Sequence, residues 1–413
     1  MGTPTARRAP LTGIRVLDLS RVLAGPWASQ MLADLGADVV KVERPGQGDD
    51  TRHWGPPYQR DAAGNDTDMA AYFLCANRNK RSLTLDLTHA GGQALARELA
   101  YKADVVLENF KPGGLVKYGL DAASLRQLAP RLVYCSISGF GQTGPYAHRA
   151  GYDFLIQAMG GLMSVTGRAD DETGAGPQKV GVALTDILTG LYATIAIQAA
   201  LVEREHSGLG QHIDLALLDV QVACLANQAS NYLAGGMLPQ RMGNAHPNIV
   251  PYQDFPTADG DMILAIGNDG QFERFCTAAG HPEWASDPRF ATNSQRVTHR
   301  TALIPLLRQA TVMRTTDAWM ALLESQAVPC GPINRLDAVF ADPQVVARGL
   351  RIELPDAWAG SVPLVANPIR LSDTPVTYRL PPPRLGEHTQ TVLAEWLGLD
   401  AERIGRLRDD AVI

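Results

Sequence analysis

The chain has 413 residues, of which 45% are hydrophobic and 19% charged, and its net charge is −6. That length supports two domains with sizeable buried cores. The charge balance offers no concentrated basic face for a nucleic-acid backbone, although a small polyanion needs only a few local cations.

Five scattered cysteines form no C-x-x-C pair, and the histidines lack zinc-ligand spacing. Neither disulfides nor a metal site is therefore expected. The longest apolar stretch, Ile187 to Leu201, is too short for a bilayer and carries Thr189, Tyr192, Thr194 and Gln198, so no membrane span is expected. The start, MGTPTARRAPLTG, has no signal-peptide apolar region, and Ala6 stands where a myristoylation signal needs Ser or Thr. Arg7, Arg8 and Arg15 precede the first acid, Asp18, which gives a faint likeness to a mitochondrial presequence. The expectation is a cytoplasmic protein, or a matrix protein if the source is eukaryotic.

Strands and helices alternate through the first half. Ile14–Leu19 reads as a buried strand, Pro26–Leu35 as a helix with proline in its first turn and Gly36 as its stop, and Val39–Val42 as the next strand. The pattern continues with strand Ser82–Leu87, helix Gly91–Lys102, strand Val105–Glu108, helix Ala122–Leu128 and strand Leu132–Ser138. Short unbroken apolar strands between helices predict an α/β fold with a doubly wound, Rossmann-like parallel sheet. A long helix is predicted from Asp186 to His206, then a strand at Gln211–Leu215 and a helix over Leu217–Leu233. The large domain is expected over residues 1–215, completed by 340–413. A smaller α+β domain is expected over 235–335, with a hairpin at Asp259-Gly260-Asp261. The chain's end reads as a helix near Thr389–Leu397.

Gly139-Phe140-Gly141-Gln142-Thr143-Gly144 matches G-x-G-x-x-G after a strand. The residues that follow, Pro145 to Gly151, read as an extended loop, whereas a dinucleotide fingerprint needs a helix there. A glycine-rich loop close to a ligand is the better reading. Candidate phosphate contacts lie at strand ends: Arg44, then Asn77, Asn79, Lys80 and Arg81, then Asn109, Phe110, Lys111 and Lys117.

One acid stands apart. From Val182 to Leu201, in GVALTDILTGLYATIAIQAAL, Asp186 is the only residue charged at neutral pH. Burying an unpaired carboxylate costs several kcal/mol. It reads either as a helix N-cap or as a nucleophile whose ionised form the helix N-terminus favours. Tyr152-Asp153 is the next candidate pair.

These residues carry a resemblance to the class III CoA-transferases, the family that includes formyl-CoA transferase and α-methylacyl-CoA racemase. It runs from about Leu11 to the C-terminus through GIRVLDLSRVLAGPWASQMLADLGADVVKVERPGQGDDTR, NRNKRSLTLDL, ADVVLENFKPGGLVKYGLD, LVYCSISGFGQTGPYAHRAGYD, GVALTDILTGLYA and LGEHT. The resemblance implies a Rossmann-like large domain, a small domain and an interlocked homodimer. It implies Asp186 as the catalytic nucleophile, working through aspartyl anhydride and aspartyl-CoA thioester intermediates on an acyl-CoA and a small carboxylic acid, with no prosthetic group. Carried over residue by residue, it places CoA on Ala24, Arg44, Leu85, Asn109, Phe110, Lys117, Arg149 and Tyr152. Substrate contacts would come from Leu23, Tyr152 and Asp153. Leu23 replaces a glutamine of formyl-CoA transferase, and that enzyme's tetraglycine loop is absent, which weakens a formyl or oxalyl substrate.

The racemase alternative needs a histidine where Tyr152 stands, with Asp269 as its possible second acid. A non-catalytic CoA-binding subunit is a further alternative, opposed by the retained Asp186. QVACLANQASNYLAGG, GNAHPNIVPYQDFPTADG, PCGPINRLDAVFADPQV and PPPRLGEHT resemble the succinate–hydroxymethylglutarate branch. That implies a succinyl-CoA donor and a C4–C6 dicarboxylate acceptor (hydroxymethylglutarate, glutarate, malate or itaconate). Arg241, Asn244 and His246 are the candidates for its remote carboxylate.

Overall fold

The computed structural model describes residues 8–413; Ala6 and Arg7 of the basic start lie outside the described residues. The chain forms two compact units. Residues up to Leu162 form one with Val180–Ala229 and Gln344–Ile413; Met163–Lys179 and Ser230–Pro343 form the other. Met163–Lys179 thus joins the second unit, although it lies within the span expected for the large domain.

The first unit is built on six parallel strands: β1 (Arg15–Asp18), β2 (Asp38–Glu43), β3 (Lys80–Thr84), β4 (Val105–Glu108), β5 (Val133–Ser138) and β6 (His212–Ala216). Their spatial order is β3-β2-β1-β4-β5-β6. Chain order therefore reverses between β1 and β4, and the strand ends there open a crevice of the kind that takes ligands in doubly wound sheets.

Side chains alternate across the sheet with period two. Leu17, Val40, Leu83, Val106 and Tyr134 face one core, against Leu95 and Leu99 of α2 (Ala90–Lys102) and Val392, Trp396 and Leu407 of the two C-terminal helices. Val16, Val39, Val105, Leu107 and Val133 face the other, against Ala28 and Leu32 of α1 (Ala24–Asp34) and Ala193 and Ile197 of a long helix. With both faces covered, β4 and the hydrophobic parts of β1 and β2 read as apolar runs, while β2 and β3 also bury the polar Lys41, Lys80 and Ser82. α3 (Ala122–Leu128) is capped by Asp121, which accepts from the amides of Ala123 and Ser124. α4 (Asp153–Met159) follows β5 after a long loop.

The long helix, α5 (Leu184–Ser207), has the length and hydropathy of a membrane span, contrary to the expectation that no segment would qualify. Half of its most apolar window is buried within the protein, and it packs on α1 as a core helix. At the crossing, a Cβ on Gly190 would stand 2.7 Å from the Ala24 carbonyl and 3.0 Å from Trp27 Cβ. Glycine lets the two backbones meet there, and this sets the second turn of α5 against the first turn of α1. The helix expected over Leu217–Leu233 is broken into α6 (Leu217–Ala223) and a second segment, Ala226–Gly235, because Ala226 takes φ 46°.

In the second unit, β7 (Tyr252–Pro256) and β8 (Asp261–Ala265) form an antiparallel hairpin about Asp259-Gly260, and β9 (Cys330–Pro332) pairs with β8. Phe255, Met262, Phe272, Phe275 and Trp319 fill its core.

Candidate active site

Two cavities open at the carboxyl ends of the parallel strands. One, of about 340 Å³, is lined by Leu19 and Arg21 after β1, Val42 to Arg44 at the end of β2, Leu85 to Thr88 after β3, and Phe110 after β4. Arg44 stands exposed at its wall. The other, of about 420 Å³, is lined by Arg21 to Ala24, Asn109 to Pro112, Lys117, Ile137 to Gly139, Arg149 to Tyr152, and Asp186. Arg21, Phe110 and Tyr118 line both.

The loops between the cavities are pinned by their own backbone. Asn109 Oδ1 accepts from the Arg21 amide at 2.9 Å, and its Nδ2 donates to the Arg21 carbonyl at 2.7 Å. Phe110 is tied down by its amide, which donates to Glu108 at 2.7 Å. Arg149 lies over the rings of Phe140 and Tyr146, at 5.3 and 4.8 Å, so its guanidinium is aimed and partly desolvated. Lys117 Nζ sits 4.6 Å from the Tyr118 ring. A Cβ on Gly139 would lie 2.5 Å from Gly151 Cα. The glycines of this loop thus serve a close approach of two chain segments, and no helix begins before Asp153.

Asp186 is the third residue of α5, not its cap. Its carboxyl, half-buried, opens into the second cavity. Burial, and then the negative charge of Asp153, push its pKa up to about 7. This corrects the expectation that the helix end would favour the ionised form. The group that caps α5 is itself a carboxylate, so it offsets the positive end of the helix.

A family model described as CoA-transferase family III matches residues 11–389. The chain belongs to this family. The succinate–glutarate CoA-transferase of Agrobacterium fabrum is 55% identical over 94% of this chain and 96% of its own length. The human succinyl-CoA:glutarate CoA-transferase is 43% identical over 98% of this chain and 90% of its own. A crystal structure of a CAIB/BAIF family protein from Brucella suis superposes with a TM-score of 0.82 at 53% identity, covering 94% of this chain and all of that one. The protein is a class III CoA-transferase, an enzyme that uses CoA thioesters as co-substrates.

Several expected contacts of the transferase fall together. Leu23, Ala24, Asn109, Phe110, Lys117, Arg149 and Tyr152 share the cavity of Asp186, and Arg44 and Leu85 line the other. Other expectations are corrected. Asn77, Asn79 and Lys80 are buried, because β3 begins at Lys80 and turns this polar run inward. Lys80 Nζ is held by Asp18, the Pro26 carbonyl and Asn77. Arg81 pairs with Asp38 and Glu395. Asp153 accepts from Gln157 Nε2 on one carboxylate oxygen and from the Thr185 amide on the other, and it is not among the residues that line the Asp186 cavity.

Arg241, Asn244 and His246 belong to the second unit. Arg241 is paired with Asp170. His246 accepts from the Asn248 amide, and its pKa is lowered by burial and then by Arg300. Asp269, the possible second acid of a racemase, is bound by Arg296 at 2.7 Å.

The division of labour between cavities has a kinetic consequence. Arg44→Ala and Lys117→Ala are each expected to raise the KM for acyl-CoA about tenfold, the worth of one charge-assisted phosphate contact. Arg44 lies outside the cavity of Asp186, so kcat should hold in its variant, whereas Lys117 shares that cavity and its variant should lose kcat as well. Steady-state kinetics at two salt concentrations check this; a kcat loss with unchanged KM would contradict it.

Proposed function

We propose that the enzyme transfers CoA from succinyl-CoA to a short dicarboxylate, with glutarate first and hydroxymethylglutarate, malate and itaconate as related acceptors. Support comes from the relatives' named substrates and, above all, from the Asp186 carboxyl, which opens into a cavity whose lining also includes Arg21, Lys111, Lys117 and Arg149.

A carboxylate oxygen of Asp186 attacks the acyl carbon. The C–O bond forms, the C–S bond breaks, and CoA leaves as thiolate. The thiolate then attacks the Asp186 carbonyl of the anhydride and releases succinate, leaving an aspartyl-CoA thioester. The acceptor carboxylate repeats both steps in reverse, and no net proton is consumed. The cavity cations stabilise thiolate and phosphates. The amides of Ala24 and Gly25, in the first turn of α1 where Leu23 supplies no side-chain cap, are the donors assigned to the oxyanions.

A homodimer fits this reading. Phe154 and Met159 of α4, Ile195 and Val202 of α5, and Val222 of α6 are exposed apolar residues that a second copy would cover. The cytoplasm, or the mitochondrial matrix in a eukaryote, is the compartment that goes with it.

The test is isotope transfer. The enzyme is given succinyl-CoA and carbon-13 glutarate in heavy water, and the CoA esters are read by mass spectrometry. Label in glutaryl-CoA without deuterium supports the proposal. Absence of label with every C4–C6 dicarboxylate removes it, and α-deuterium in a 2-methylacyl-CoA would favour racemization.

A further inference from the structure

Ala183, at the N-cap of α5, has no side chain that can cap, and the amides of the first turn find their acceptor elsewhere. Asp153 Oδ1, from the first residue of α4, accepts from the Thr185 amide at 2.8 Å and from the amide of Asp186 itself at 3.3 Å. Asp153 Oδ2 accepts from Gln157 Nε2 at 2.7 Å. Gln157 is fully buried and accepts from the Val180 amide at 2.9 Å through Oε1. Thr185 Oγ1 donates to Gln221 at 2.6 Å. The capping carboxylate is thus fixed in orientation, and it fixes the turn that carries Asp186.

A neutral oxygen caps a helix about as well as a charged one, so capping alone does not call for an acid here. What the acid adds is a like charge beside Asp186. That repulsion exists only while Asp186 is an anion. Attack of Asp186 on a thioester forms its C–O bond to the acyl carbon, breaks the C–S bond and expels CoA thiolate, which leaves Asp186 a neutral acyl group.

We propose that Asp153 is a positioning residue that aims Asp186 into the cavity and, by its charge, favours conversion of Asp186 from carboxylate to neutral covalent intermediate. The inference rests on the proposed role of Asp186 as nucleophile. The Tyr72 phenol also feels Asp186, its pKa being pushed up to about 12 by burial and then by that carboxyl, and the lining of the cavity carries the cations Arg21, Lys111, Lys117 and Arg149.

The test compares wild type with Asp153→Asn, Asp153→Glu and Asp153→Ala. Three quantities are read: the pH profile of kcat/KM for succinyl-CoA, the KM, and the fraction of enzyme carrying CoA on Asp186, by intact-mass and peptide mass spectrometry without acceptor. Removing the like charge in Asp153→Asn is expected to move the acid limb down by ~1 pH unit and to lower the covalent fraction about tenfold. Asp153→Glu restores the charge and returns the limb toward the wild-type pH. Asp153→Ala also loses the cap, and its kcat is expected to fall ~10–100-fold with little change in KM. Thermal melts identify any variant that has merely unfolded. A folded Asp153→Asn with the wild-type limb and covalent fraction overturns the inference. Wild-type enzyme with no CoA on Asp186 overturns the nucleophile reading itself, so the two failures are distinct.

Discussion

Asp186→Ala or Asp186→Asn is expected to lower CoA transfer by at least ~10³-fold, the scale of losing a covalent nucleophile. CoA binding should survive, because the cavity at Arg44 and Leu85 does not include Asp186. Removing the carboxylate also removes a charge that repels a thiolate and a polyanion, so affinity for CoA should be unchanged or higher. Stability supplies an independent check. The folded pKa of about 7 lies above the unfolded value near 3.9, so the ionised carboxyl opposes folding. Its cost is absent below about pH 4 and grows as pH rises through 7. Wild-type melting temperature should therefore fall with pH across that window, and the fall should flatten in both variants. Titration calorimetry with CoA, initial rates with succinyl-CoA, and melts from pH 4 to 8 test all three points. Turnover above about one per cent of wild type would refute the assignment of Asp186 as nucleophile, on the same scale of loss.

The parts of this site differ in how far the sequence disclosed them. Val105–Glu108 and Ala122–Leu128 were readable to the residue, because an apolar run and an Asp-capped amphipathic turn are local signals. Asp186 was conspicuous as an isolated charge in an apolar segment. Its cap was not, since Asp153 lies 33 positions away and neither Tyr-Asp nor the seven-residue α4 has a distinctive period. The run Asn77–Arg81 looked like a ligand-binding cluster because charge is usually solvated; only the pairing of β3 with β2 shows those groups buried against partners. The last helix, Ala401–Asp409, was missed because it is short and mostly charged, with few apolar positions to set a period. The break at Ala226 has no proline or glycine to announce it.

The largest stability effect is expected at a pair whose function is indirect. Lys41 and Asp49 have fully buried side chains 2.8 Å apart. Lys41 also donates to the Ser20 carbonyl, and Asp49 accepts from the amide and hydroxyl of Thr51 and from the amide of Val22. Val22, a β-branched residue, is held at φ 71°, a left-handed conformation that such residues avoid. It immediately precedes Leu23 and Ala24 in the wall of the Asp186 cavity. Asp49→Ala would leave an ammonium buried without its partner, which costs ~3–5 kcal/mol, and would free Val22. The pair has a pH signature. Lys41 holds the Asp49 pKa down to about 2 against burial, below the unfolded value near 3.9. Its contribution is full above about pH 4 and is lost as pH falls toward 2, a slope that Asp49→Ala should lack. Urea unfolding at pH 7 and in acid measures both, and a loss under ~1 kcal/mol would contradict the argument. The double variant Lys41→Met with Asp49→Ala separates the two roles. Removing both charges should recover most of the stability, since no unpaired ion remains. Yet the Val22 amide still lacks its acceptor, so the KM for succinyl-CoA should stay elevated. If stability and KM recovered together, the pair would serve the fold alone.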